Sequence, residues 1–347
     1  MLNTRRNEIY NANDVISSND LRKRIVNVDS RFRSVLTDSS TDFTFKFEHP
    51  YKNVIRARIA SVEIPNMWYE FSAKNYQNTH FSISAYDINN VLRTAIIKIP
   101  DGNYSATDLI IAVQQQLNIS FNTPYGIFID VTIDPHTIKT SFIHTGVAAK
   151  GAPQPTQNAK PFVLDFKVPD LCYKPFDFGL GANLGFMNTY YNVATVYTDV
   201  STAQIQYIQT SESLLDVISN QYIFLSIDDL HGVEQKTSDN YFQCLAKIIV
   251  REDKLSVIYD DGSTLLSNDV IFPSPVDLKQ IKVRLSDPYN QVLDLNYLNF
   301  SFSLEITEVM NTKMYEFYRN YIWLGTIPSV PANVTGSAQG LLGGKGP

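Results

Sequence analysis

Between Asp42 and Phe47 the residues DFTFKF alternate without a break, with Phe43, Phe45 and Phe47 on one side and Asp42, Thr44 and Lys46 on the other. A period of two is that of a pleated strand with one dry face. The same pattern returns late in the chain. Ile281, Val283 and Leu285 alternate with Lys282 and Arg284, and Phe300, Phe302, Leu304 and Ile306 alternate with Ser301, Ser303, Glu305 and Thr307. Further strands are predicted for VIRARIASVEIP (54–65), FSISAY (81–86), TAIIKIP (94–100), GIFIDVTI (126–133), IKTSFIH (138–144), FVLDFKV (162–168), QYIFLSI (221–227) and FQCLAKIIV (242–250). HPYKN (49–53), Asn89-Asn90, Asp260-Asp261-Gly262 and Asp287-Pro288-Tyr289-Asn290 read as turns, because proline leaves a ladder and Asn, Asp and Gly tolerate turn angles.

One segment breaks the period. From Ser105 to Asn118 the apolar residues Leu109, Ile110, Val113 and Leu117 recur at helical spacing, with Ser105 as N-cap and Asp108 in the first turn. Many short strands with a single helix exclude a parallel α/β fold and predict an antiparallel β-sandwich or barrel. The glycines of FDFGLGANLGF (176–186) predict unusual backbone angles or close packing of two chain segments. The loop GVAAKGAPQPTQNAKP (146–161) has the composition of irregular structure.

Composition refines this picture. At 347 residues and 44% hydrophobic, the chain can bury a large core without staples. Charged residues make up only 18% and aromatics 12%, a bias toward sheets and contact surfaces. The net charge of −6 provides no general field for nucleic acid, so no specific nucleic-acid partner is expected. Positive charge nevertheless gathers near the N-terminus in Arg5, Arg6, Arg22, Lys23, Arg24, Arg31 and Arg33. Residues 1–24 read as a polar arm that either touches an acidic neighbour or DNA, or is a solvated leader. No apolar run reaches the roughly 20 residues that cross a bilayer.

No catalytic residue, cofactor site or metal site is expected from the sequence. His49, His80, His136, His144 and His231 have no partner at metal-ligand spacing, and His136 and His144 read as ordinary surface histidines. Asp228-Asp229 and Asp260-Asp261 sit beside turn signals, where Asp serves the backbone. Cys172 and Cys244 are expected as free thiols, with Cys244 behaving as a small hydrophobe. The sequons at Asn103, Asn118, Asn299 and Asn333 read as chance matches in a chain with no signal-like N-terminus. The dense aromatic segment around Tyr315, Tyr318, Tyr321 and Trp323 reads either as a docking surface or as a terminal helix closing the core. With Arg22, Lys23, Arg24, Arg31 and Arg33, these four aromatics are the candidate interaction residues.

Two passages are more specific: IVNVDSRFR followed by FTFKFEHPYKNVIRARIASVEIPN, and IKIPDGNYSATDLIIAVQQQLN leading to LGANLGF. Together they resemble the penton and minor capsid proteins of nucleocytoplasmic large DNA viruses, over roughly residues 25–310. The resemblance implies an antiparallel jelly-roll sandwich with a helix-containing insertion, acting as a structural, non-enzymatic component of an icosahedral virion capsid assembled in the host cytoplasm. It implies other capsid proteins, major and minor, as partners. A vertex protein would form a homopentamer, and a minor protein would bridge capsomers or make peripheral contact with an inner membrane. The expected organisation is a flexible arm (1–24), a jelly-roll domain (25–100 and 204–310), an inserted α+β subdomain (101–203), an aromatic segment (311–328) and a flexible tail (329–347). A compact double roll also remains open. The alternative is a carbohydrate- or receptor-binding β-sandwich using the loops 146–160 and 187–203.

Overall fold

The computed structural model describes residues 21–313 and 315, apart from 168–178, 199–203, 219–220, 229, 231, 237–240, 263–265 and 268. The first half runs β1 (Leu21–Asp29), β2 (Asp42–Pro65), β3 (His80–Tyr86), β4 (Leu92–Lys98), helix α1 (Ala106–Leu117), β5 (Ile127–Ile133), β6 (Thr140–Val147), β7 (Phe162–Asp165) and the single turn α2 (Leu180–Asn183). It continues through β8 (Tyr190–Val193), β9 (Val196–Thr198), β10 (Ile205–Thr210), β11 (Tyr222–Ile227), β12 (Val233–Lys236), β13 (Tyr241–Cys244), β14 (Ala246–Ile249), β15 (Val257–Asp260), β16 (Leu266–Ser267), β17 (Val270–Ser286) and β18 (Ser301–Val309). The described strands pair antiparallel, and the fold is all-β and sandwich-like, as the alternation predicts.

The largest sheet has the order β1-β18-β2-β17-β11-β14-β16, with β15 added to β2. Its inner face buries Val28, Phe43, Ile59, Val62, Val283, Leu285, Phe302, Leu304 and Ile306 in one core, against which Phe45 and Phe47 pack half-buried. The alternating faces of the DFTFKF and SFSLEITEV segments are therefore oriented as their period predicts. Two four-stranded sheets, β4-β3-β7-β8 and β5-β6-β10-β9, contribute to a second core. There Phe142 and Phe166 stand 5.5 and 5.4 Å from Phe81, and Phe186 stacks on Phe166 at 5.0 Å. Helix α1 adds Leu109, Ile110, Val113 and Leu117 to this core, and Ser105 Oγ caps it by accepting from Asp108 N at 3.1 Å.

Several expectations need correction. HPYKN does not turn the chain, because β2 runs through it. Opposite β2, the register jumps from Lys46↔Gln280 to Tyr51↔Leu278, so Pro50 lies in a bulge where its missing N–H breaks no ladder bond. Pro273 and Pro275 of β17 lie in the opposite bulge, between Ile271↔Arg56 and Val276↔Val54. FQCLAKIIV is two strands rather than one. The chain changes sheets at Leu245, leaving the β12–β13 hairpin and joining β11 through β14.

The arm also ends earlier than expected. Residues 21–24 belong to β1, which pairs with β18 along nine residues from Leu21↔Val309 to Asp29↔Ser301. The cluster Arg22-Lys23-Arg24 hides this strand in the sequence, because the charges of Lys23 and Arg24 meet acids on the neighbouring strand. Residues 1–20 and 329–347 lie outside the described residues.

The two cores divide the chain at different points from those expected. The first takes buried residues from Val28 to Trp68 and from Ile223 to Ile306, and the second takes those from Phe71 to Leu215. Strands β3 and β4 thus share a core with α1 rather than with β2, because Phe81, Ile83, Ala85 and Ile97 are buried in the same cluster as Leu109, Val113, Phe142 and Phe166. The crossing at 66–71 is held by Lys254, whose ammonium lies 2.7 Å from Glu70 Oε1 and 4.1 Å above the Trp68 ring. Trp68 Nε1 donates to the same Glu70 oxygen at 2.8 Å.

Candidate assembly surfaces

The basic residues near the N-terminus are placed by β1 and the 3₁₀ turn Ser30–Phe32 that follows it. Lys23 lies 3.5 Å from Glu305 and Arg24 lies 2.8 Å from Glu308, both on β18. Arg58 of β2 approaches Glu305 from the other side at 2.7 Å, and its hydrogen bond holds that carboxyl below the usual range. Arg22 is exposed. Burial pushes the Asp29 carboxyl up, but donors from the Arg31 side chain and backbone override it and hold it low. Lys23, Arg24 and Arg31 are thus paired with acids of their own fold. Cationic side chains along an edge strand also blunt edge-to-edge pairing.

Arg33 organises the loop after the turn. Its guanidinium donates to Ser30 O at 2.7 Å, Leu36 O at 2.8 Å, Asp38 O at 3.0 Å and Asn299 Oδ1 at 3.2 Å. So fixed, the loop leaves Phe32 and Leu36 each 71% exposed. Ser40 Oγ and Thr41 Oγ1 tie it to a second loop by donating to Leu298 O at 2.7 Å and Leu293 O at 2.6 Å. In that second loop Asn296 and Tyr297 both adopt left-handed backbone, with φ of 53° and 65°, and Tyr297 stands 99% exposed. Arg33, Leu36, Lys74, Arg284, Asp294 and Tyr297 are among the residues lining a cleft of about 750 Å³ at this end of the molecule. Its lining is mixed, with Leu36, Val292, Leu293 and Tyr297 set among polar residues and charges of both signs. The exposed apolar residues Phe32, Val35 and Leu36 stand out in an otherwise polar turn segment of the sequence, a signal that periodicity does not register.

Tyr315 is buried against Leu21, Ile55 and Val309. At that residue the aromatic segment serves the core. Tyr318, Tyr321 and Trp323 lie outside the described residues, as do Cys172 and His231. Cys244 is a buried free thiol that burial pushes up to about 12, as expected of a small hydrophobe. Asp228 and Asp260 serve the backbone, accepting from Lys282 N at 2.7 Å and Gly262 N at 2.8 Å. His136 is exposed as expected, but His144 is not a surface residue. It is 0% exposed, because its position on β6 faces the second core. Among the described residues no group of three His, Cys, Asp or Glu is placed to hold a metal, and no helix is long and apolar enough to cross a membrane.

Fold and surface together define an antiparallel β-sandwich protein with a cleft of mixed polar and apolar lining between its loops. No family model matches the chain, and no curated protein matches it. Among solved structures, a chain in the 3.5 Å cryo-EM structure of the Sputnik virophage is similar to it at 14% identity and a TM-score of 0.36, over 83% of this chain and 98% of that one.

Proposed function

We propose that this chain is a structural protein of the icosahedral capsid of a large DNA virus, either a fivefold-vertex or a minor capsid component, that works through subunit contacts. The observation that carries the reading is the exposure of Phe32, Leu36 and Tyr297, large apolar and aromatic side chains held out in solvent, the last two of them lining the cleft. Rigid aromatic anchors around a cleft are what a protein partner buries. The resemblance adds the kind of partner, because IVNVDSRFR builds β1 and the turn beside these residues. On this reading the partners are major and minor capsid proteins or further copies in a ring of five, the location is the virion shell, and assembly takes place in the host cytoplasm.

The glycan-binding alternative gains less from the structure. Much of the loop 146–160 bonds inward, with Val147 and Gln157 exchanging backbone bonds at 3.1 and 3.0 Å. Replacing Leu36 with Asp and Tyr297 with Ser tests the proposal by analytical ultracentrifugation and co-assembly with capsid proteins. Wild type should enter assemblies and the double variant should remain unassembled with an unchanged melting temperature. Normal assembly of the variant would overturn the assignment of this surface.

A further inference from the structure

His144 sits on β6 between Ile129 of β5 and Tyr207 of β10, with the Phe162 ring of β7 edge-on at 6.1 Å. Nδ1 lies 2.7 Å from Lys160 O, and Nε2 lies 3.0 Å from Gly146 O. Both neighbours are carbonyl oxygens, which only accept. A neutral imidazole carries one N–H, so it satisfies one carbonyl and turns a lone pair toward the other. The imidazolium satisfies both, but only by placing a charge in a dry interior.

The two carbonyls stand at the two ends of the strap 146–160, which crosses from β6 in one sheet to β7 in the other. The strap is fastened by the Val147–Gln157 bonds, by Ala159 N donating to Ile205 O at 3.2 Å, and by Lys160 Nζ donating to Asp87 O at 2.5 Å and Asn90 Oδ1 at 2.8 Å. The titratable groups facing the ring are few. Lys160 directs its ammonium to the 87–90 turn, Asp87 is engaged by Arg93 at 2.8 Å, and β10 presents the Tyr207 phenol. Ile129 and Phe162 bring no charge.

We propose that His144 is an acid-sensitive latch: the neutral ring keeps the strap closed, and protonation favours an open form in which the ring reaches water. Burial pushes the ring down to about 4, against the upward pull of the two carbonyls. An open, solvated ring titrates near 6.5. The folded value is the lower one, so the latch's contribution is complete above pH 6.5 and is lost as pH falls toward 4. Between pH 7 and pH 5 the open form gains about 20-fold over the closed one.

Native-state hydrogen exchange on the full chain tests this at the amides of Val147, Gln157 and Ala159, corrected for the intrinsic effect of pH. Protection there should fall about 20-fold from pH 7 to pH 5, while Phe302 and Leu304 amides keep theirs, and His144→Gln should abolish the dependence. A wild-type strap that stays protected at pH 5, or a variant strap that loses as much, would overturn the proposal. Should the variant not fold, the wild-type ring is titrated by NMR: a midpoint near 4 supports the latch, and one near 6.5 refutes it.

Discussion

Lys254 holds a carboxylate and an indole at the crossing between the two cores. Removing its charge by Lys254→Met leaves Glu70 in a buried setting without its cation, a loss of about 3–5 kcal/mol where such a pair is fully enclosed. Lys254 is 27% exposed, so the lower end is expected, and pairing the change with Glu70→Gln should recover most of it in chemical denaturation. At Gly185 the constraint is steric. With φ of 89°, an added Cβ would lie 2.4 Å from Ser213 O, so Gly185→Ala should destabilise by about 2 kcal/mol or more. Cys244 should resist alkylation in the native protein and react only after denaturation, as peptide mass spectrometry would show. Its behaviour was legible in the sequence because an isolated Cys in an apolar strand has few other roles. His144 was not. A lone histidine has no pattern, and its burial follows from strand register, which a one-residue slip reverses.

Elements whose period was clean came out where the sequence places them: β3, β6, α1, β18 and the ends of β2 and β17. The failures have physical causes. Proline signals a turn locally, but paired bulges let β2 and β17 absorb Pro50, Pro273 and Pro275 within one ladder. Short strands such as β8, β9 and β16 hold two to four residues, too few for any period to register. Strand β1 was concealed by charges that are neutralised only across the sheet. This gives a prediction at the scale of the element. Truncation to remove residues 1–24 should melt several degrees below truncation to remove 1–20, because only the longer deletion removes four ladder partners of β18 and leaves Glu308 without Arg24. Equal melting temperatures would mean that residues 21–24 add nothing to the sheet.

At the scale of the whole molecule, the all-β sandwich architecture was legible from alternation alone, whereas the division into two cores was not. Which strands share a core depends on where the chain passes from one core to the other, after Trp68 and after Leu215, and the sequence carries no periodic signal there. The candidate site was legible in part. Lys23, Arg24, Arg31 and Arg33 proved to be fastened within the fold, and the exposed apolar residues beside them lie in a turn segment that periodicity ignores. A structural protein of a shell is defined by where it sits, so the most direct measurement is cryo-electron microscopy of a particle containing this chain. The account predicts β-sandwich density for it within the shell, at the fivefold vertices or between capsomers, with Phe32, Leu36 and Tyr297 against a neighbouring subunit. Particles lacking the chain, together with a soluble monomer that retains a bound glycan, would contradict it.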